Sequence, residues 1–335
     1  MPDAFMQDNI KTPNIAVFNF TLEQVDRLKF PENIGSMLRG SFGHALRKLC
    51  CITDLPSCQH CPVQSHCRYP YLFEGFNNTD SIISSSRLQA LVNPYIFRLH
   101  QRPDQISPKQ TWGFSMVLMG QAVEDYPLII KAWQSACETG FNGEKSANRS
   151  TARLIKVVNQ SQDLYQEMSP KLPLVATEQI KCIPSLQLKS LKEIQKISLN
   201  FLTPFRLQYQ GKIAFQPHQF DGKQLLINLY NRIQTCQNIL DKGSVWQDAY
   251  RDFREFVADI EKLTITEELT STKVVRHSSR QQQKITLFGL EGLVHLTGNN
   301  DTLTRLLPLL WLGQYLHVGK STTLGLGQYQ LQIHH

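Results

Sequence analysis

The stretch "LHVGKSTTLGLGQYQL" (Leu316–Leu331) contains GKST, the ending of a nucleotide-binding phosphate loop, in a setting that excludes one. Such a loop needs two glycines four residues apart, then Lys and Ser or Thr, placed after a strand and opening a helix. Here the nearest upstream glycine, Gly313, leaves five residues before Gly319, and what precedes it is the apolar run "LTRLLPLLWLGQYL". That run reads as a helix kinked or begun near Pro308, and "TTLGLGQYQLQI" alternates like a strand carrying Gly325 and Gly327. The order is helix, glycine loop, strand, the reverse of a phosphate loop. What remains is a glycine-rich loop with Lys320, three hydroxyls and His317, able to bring main-chain amides close to a polyanion backbone or simply to make a tight turn.

Working outward, the 335-residue chain has length for two domains, and a hydrophobic fraction of 41% fits a full core. No apolar run reaches a membrane span and the N-terminus lacks signal-peptide features, which sets the expectation of a cytoplasmic protein without membrane contact. The formal charge of +7 points toward an anionic partner, yet no block of five like charges occurs. A basic surface must therefore be assembled by folding from scattered residues such as Arg39, Arg47, Lys48, Arg206, Arg276, Arg280 and Lys320.

Five of the eight cysteines fall within eighteen residues, in "CCITDLPSCQHCPVQSHC". Without a secretory signal they read as metal ligands rather than disulfides. Cys51, Cys58, Cys61 and Cys67 give four thiolates that a short loop can wrap round one tetrahedral ion, with Cys50 spare at a helix end and His60 and His66 as substitutes. Zinc in a structural role is expected, because four cysteines leave no open position for water; an iron–sulfur cluster is the alternative. Cys137, Cys182 and Cys236 read as isolated, buried small hydrophobes.

Along the first half, "NIAVFNF" reads as a strand and "GSMLRGSFGHALRKLC" as a helix; "PYIFRL" and "TWGFSMVLMG" read as strands, "PLIIKAWQSAC" as a helix stopped at Gly140, and "ARLIKVVN" as a strand. The second half repeats the order, with "KISLNFLTPFRLQYQ", the helical stripe of "KQLLINLYNRIQTCQNIL", "KITLFGLEGLVHLTG", the Leu-rich helix and the glycine loop with its last strand. Two copies of strand, helix, two strands, helix, strand predict an α+β chain of tandem ferredoxin-like domains. They are expected over residues 1–175, with a cysteine-rich insertion at about 50–75, and over 190–335, joined near "EMSPKLPLVATEQ".

These residues resemble the RAMP-superfamily endoribonucleases that process CRISPR precursor RNA, two-domain ferredoxin-like proteins with a C-terminal glycine-rich loop. The family's loop runs glycine, hydrophobe, glycine, five residues, glycine, hydrophobe, glycine; "HVGKSTTLGLG" matches at every position except the first, which is His317. "FLTPFRL" and "RHSSRQQQKITLFGLEG" also look like that family's C-terminal domain. "MLRGSFGHALRKLC", the cysteine loop and "YPYLFE" look like a branch with a metal-binding insertion.

The resemblance implies RNA cleavage without a catalytic metal, in which a 2′-hydroxyl attacks the adjacent phosphate to leave a cyclic phosphate and a 5′-hydroxyl. That reaction needs a base, an acid and cations for the phosphate. In the family a histidine often sits on the first helix, a region similar to that of His44, which becomes the candidate acid or base, with His317 and His295 in reserve. Lys48 shares a helical face with His44 and is the partner expected to hold the phosphate. RNA contacts are expected at Arg39, Arg47, Arg206, Arg276, Arg280, His317, Gly319, Lys320, Gly325 and Gly327. The expected partners are CRISPR repeat or guide RNA and further subunits of an RNA-guided effector complex. A noncatalytic guide-RNA-binding subunit and a zinc-stabilised interaction protein are the competing readings.

Overall fold

The computed structural model describes residues 13–75, 92–100, 103–142, 149–167, 176–184, 186, 188, 192–237, 239–240, 252–278 and 283–335. It divides into two compact units: Ile15–Lys181 with Val275–Ile285, and Cys182–Val274 with Thr286–His335 and the N-terminal residues up to Asn14. The chain changes unit between Lys181 and Cys182, just beyond "EMSPKLPLVATEQ", most of which lies outside the described residues. One segment of the second half, Val275–Ile285, groups with the first unit.

In the first unit, β1 (Ile15–Gln24) is followed by α1 (Ile34–Cys50), β2 (Tyr95–Arg98), β3 (Thr111–Met119), α2 (Tyr126–Thr139), β4 (Ala152–Asn159) and β5 (Gln162–Gln166). The sheet order is β2-β3-β1-β4-β5, antiparallel throughout: the ferredoxin-like arrangement with one added edge strand. Alternation on β1 buries Ala16, Phe18, Phe20 and Leu22 against α1 and α2. Trp133 of α2 lies at the centre, 4.6 Å from Phe114 and 5.6 Å from Phe42, ring centre to ring centre.

The second unit repeats the plan with β6 (Lys196–Phe205), α3 (Gly222–Cys236), α4 (Phe253–Ile260), β7 (Thr264–Ser278), β8 (Gln283–Thr297), α5 (Asn300–Leu316) and β9 (Tyr329–His334). Its sheet order, β7-β8-β6-β9, is the same ferredoxin-like permutation. Ile197, Leu199, Phe201 and Phe205 of β6 meet the expected stripe of α3, where Leu225, Leu226, Leu229 and Ile233 are buried.

Three expectations change. The Leu-rich helix neither begins nor breaks at Pro308: α5 starts at Asn300, capped by the Asn299 side chain accepting from the Thr302 amide at 2.8 Å, and runs through the proline. Burial of Leu306, Leu307, Leu309 and Leu310 around it offsets the missing amide bond. The last strand starts at Tyr329, not in "TTLGLG", because Ser321, Gly325 and Gly327 all have positive φ, which no strand accommodates. β7 and α4 escape the sequence reading. The alternation of "TITEELTSTKVV" is polar on polar and most of it is exposed, so it carries no apolar period. Among the described residues, no helix is long and apolar enough to cross a membrane.

Candidate active site and nucleic-acid interface

α1 builds the N-terminal part of the site. Asn33 caps it, accepting from the Ser36 amide at 2.8 Å, and its buried face carries Leu38, Phe42, Ala45 and Leu46. The opposite stripe, spaced at four residues, is Gly40, His44 and Lys48, all exposed. His44 and Lys48 therefore share one solvent-facing helix surface.

Arg39 and Arg47, expected as phosphate contacts, both have intramolecular partners. Arg39 donates to the Tyr95 hydroxyl at 2.7 Å and to the Phe73 carbonyl at 3.3 Å, and its guanidinium lies 4.2 Å from the Phe73 ring centre. Arg47 donates to the Leu55 and Pro56 carbonyls and stands 5.8 Å from the Tyr69 ring. Both arginines fasten the segment following α1 back onto the helix, Arg47 through two carbonyls and Arg39 through one, and each guanidinium also faces an aromatic ring.

That segment contains the cysteines. α1 ends at Cys50; Cys51 leaves it in an extended conformation with its amide on the Arg47 carbonyl at 2.8 Å. The Cys61 amide donates to the Cys58 carbonyl at 3.1 Å, a tight turn that brings this pair together, and Cys50, Cys51, Cys58, Cys61 and Cys67 line one pocket. Thr53 Oγ1 sits 3.5 Å from Cys61 Sγ and 3.9 Å from Cys51 Sγ. His60 and His66 are exposed and do not line it. Hydrogen bonding, first from the Thr53 amide, lowers the Cys51 pKa, whereas burial first, then neighbouring negative groups, push Cys50 and Cys58 up to about 11. Cysteines gathered round one pocket are the donor chemistry of a thiolate-binding cation, which would favour loss of the thiol protons on binding. Among the described residues no three His, Cys, Asp or Glu side chains close to the spacing of a coordinated ion. Cys137 and Cys236 are buried as expected, but Cys182 is only half-buried, its thiol directed at Asn14 Oδ1 at 3.6 Å.

In the second unit the glycine loop is held by its own backbone. Gly319 has φ +84° and forms a bridge with Arg206; a Cβ there would stand 2.5 Å from the Arg206 carbonyl, which accepts from the Lys320 amide at 3.0 Å. Gly327 has φ +73°, and a Cβ would stand 1.9 Å from the Val318 carbonyl; its own carbonyl accepts from the Val318 amide at 3.1 Å. Only glycine permits both approaches. Gly325 ends a short 3₁₀ turn, its carbonyl accepting from Thr203 Oγ1 at 2.8 Å. Ser321, left-handed at φ +65°, precedes that turn, and among the described residues nothing accepts from the amides of Ser321, Thr322 and Thr323. A left-handed residue followed by right-handed ones turns successive amides into a concave anion-binding nest.

Arg206 locks this loop to the sheet, donating from Nε to the Phe288 carbonyl at 2.9 Å and from Nη1 to Ser321 Oγ at 3.3 Å. Lys320 is exposed beside it. His317 corrects its expectation: it is fully buried, at φ +56°, with Nδ1 3.2 Å from the Leu326 carbonyl. It braces the loop from within and offers no surface to RNA. The other reserve, His295, lies on the sheet face away from Val294 and Leu296, its Nδ1 2.8 Å from Ser198 Oγ, which His334 Nε2 also meets at 2.8 Å. Sequence reasoning missed that pairing, since Ser198 and His334 stand on strands whose register no motif announces. Arg276 is half-buried in the segment grouped with the first unit, and Arg280 lies outside the described residues.

Residues 12–178 match a family model described as an N-terminal domain, and residues 199–329 match that of the CRISPR-associated endoribonuclease Cas6. No curated protein sequence matches. Among solved structures, a Cas6 product complex superposes with a TM-score of 0.54 at 17% identity, over 94% of this chain and 100% of that one. Thermus thermophilus Cas6 superposes at 0.50 and 14%, over 96% and 99%. A partial Cas6-RT-Cas1–Cas2 complex gives 0.51 and 13% over 98% of this chain, which spans 47% of the length of its counterpart there. At these identities the structural likeness is one of fold, and it supports the tandem ferredoxin-like architecture. The family match runs from Leu199 within β6 through the glycine loop to the first residue of β9, so it is the C-terminal domain that matches the CRISPR-associated endoribonuclease Cas6 model.

Proposed function

We propose that the protein is an endoribonuclease that cuts CRISPR repeat RNA into guide RNAs. The observation that carries this reading is the Cas6 family match over residues 199–329, which includes the whole glycine loop with its clamp from Arg206. Three unclaimed amides and the exposed Lys320 form a cradle suited to a phosphate.

The chemistry needs no metal at the cut. A base removes the proton of a 2′-hydroxyl, whose oxygen bonds to the adjacent phosphorus. The bond to the 5′-oxygen of the next nucleotide breaks, and an acid protonates that oxygen. The products are a 2′,3′-cyclic phosphate and a 5′-hydroxyl. His44, exposed on α1, serves as the acid or base, and Lys48 one turn on balances the charge that builds on the phosphorane. The likeness in fold to a subunit of the Cas6-RT-Cas1–Cas2 complex supports assembly with further CRISPR proteins. A structural zinc held by Cys51, Cys58, Cys61 and Cys67 braces the segment that Arg39 and Arg47 fasten to α1; an iron–sulfur cluster is the alternative occupant.

The test incubates the protein with EDTA and repeat RNA, alongside matched RNAs carrying one 2′-deoxy substitution at each position. Cleavage blocked by a single deoxy substitution is the expected result. Tight binding with no cleavage would replace the enzyme with a noncatalytic guide-RNA-binding subunit.

A further inference from the structure

Phe288 on β8 is 44% exposed, an unusual place for a phenyl ring on a strand whose neighbours Leu287 and Gly289 are buried. Its position is fixed rather than loose. The ring packs on Phe215 with centroids 5.5 Å apart. Phe215 is itself pinned, its carbonyl accepting from Ser271 Oγ at 2.6 Å and its amide donating to Gln219 Oε1 at 3.1 Å. The Phe288 carbonyl receives Arg206 Nε, and the same guanidinium reaches Ser321 in the glycine loop. One arginine thus joins the exposed ring to the three unclaimed amides. The hairpin leading into Phe215 adds Tyr209, 55% exposed, and the exposed Lys212.

We infer that Phe288, backed by Phe215, is the stacking platform for one unpaired RNA base, next to the loop that holds that strand's phosphates. This rests on the RNA reading above and deepens it. A ring presented beside cations and amides suits a nucleotide, whose flat base and anionic phosphate match the two parts of the surface. A base inside a stem is already stacked and paired, so only a single-stranded one can use the ring. The platform therefore selects RNA with an unpaired nucleotide flanking a stem, and favours purines, which cover more of the ring.

The experiment measures binding of the full-length protein to hairpin RNA with unpaired flanks, by fluorescence anisotropy, against a set in which each flank nucleotide in turn is abasic. Phe288→Ala is expected to weaken binding to the intact RNA by roughly 5- to 100-fold, as loss of one base–aromatic stack does. One abasic position should weaken the wild type equally and leave Phe288→Ala with nothing more to lose. Phe288→Trp should retain affinity, and Phe288→Leu, which keeps apolar bulk for folding, should behave like the alanine variant. Unchanged binding by both the alanine and leucine variants overturns the inference while the RNA reading stands. So does a loss that is the same for intact and abasic RNAs, because the ring would then only support the fold. A wild-type protein that binds none of these RNAs overturns the RNA reading itself.

Discussion

Replacing Gly319 by alanine separates two costs that the glycine loop combines. Gly319 and Gly211 have nearly the same left-handed φ, +84° and +80°, so a Cβ carries the same backbone strain at each, about 1 kcal/mol. At Gly211 the Cβ meets nothing within 4 Å, whereas at Gly319 it stands 2.5 Å from the Arg206 carbonyl. Relieving that contact moves Arg206 away and stretches the 3.0 Å bond from the Lys320 amide beyond useful length, a loss of about 1 kcal/mol. The guanidinium bonds to Phe288 and Ser321 are disturbed with it, for about 1 kcal/mol more, since charged donors are stronger but the first bond is exposed and the second only part-buried. Gly319→Ala should therefore cost about 3 kcal/mol and Gly211→Ala about 1 kcal/mol. Urea unfolding of the two variants measures the difference, and amide hydrogen exchange over residues 300–334 assigns it to the C-terminal unit. RNA affinity should fall with the first variant and hold with the second. Equal costs would refute the view that close approach to Arg206, rather than φ alone, demands glycine at this position.

Three further expectations follow from the N-terminal unit. His44→Ala should slow RNA cleavage by roughly 100- to 10,000-fold while leaving RNA affinity within a few-fold, read from single-turnover cleavage and binding on the same RNA. Replacing Cys58 and Cys61 together by serine should release bound metal and lower the melting temperature, as should a strong chelator on the wild type; full stability with no bound metal would remove the structural site. Asp125 pairs with Arg68 at 3.0 Å, but burial outweighs that guanidinium and pushes its pKa up to about 6. With its folded value above its unfolded one, it contributes stability below about pH 4 and loses that contribution as pH rises through about 6. Asp125→Asn should accordingly gain about 1–2 kcal/mol over wild type at pH 8, after allowing for the lost pair, and gain nothing at pH 4. Denaturant midpoints at the two pH values decide it.

The sequence by itself determined the architecture and the position of the glycine loop. Period-two burial on β1 and β6, the 3.6-residue stripe of α3 and the Gly140 stop after α2 are local signals, written in residues that lie next to each other along the chain. The doubled order of elements then allows the ferredoxin-like sheet with few alternatives. β7 escaped because both of its faces are polar enough to hide the period. The solvent-facing stripe of His44 and Lys48 was legible too, being a matter of helical spacing alone.

What each of the other polar residues does was decided only by tertiary structure. Arg39, Arg47, Arg206 and Lys320 are alike in sequence as cations. The fold gives the first two to Tyr95, Phe73 and the carbonyls of the cysteine segment, makes the third a clamp, and leaves the fourth exposed. His317 sits within the very motif that suggested RNA contact, yet its backbone turns the ring inward, because α5 must end where the loop reverses direction. Phe288 looked like one more strand hydrophobe until the sheet placed it outward beside Arg206. Secondary structure is encoded by neighbours in the chain, whereas burial and hydrogen-bond partnership depend on residues tens to hundreds of positions away. Which cation, histidine or ring meets a ligand is therefore set when those distant segments come together.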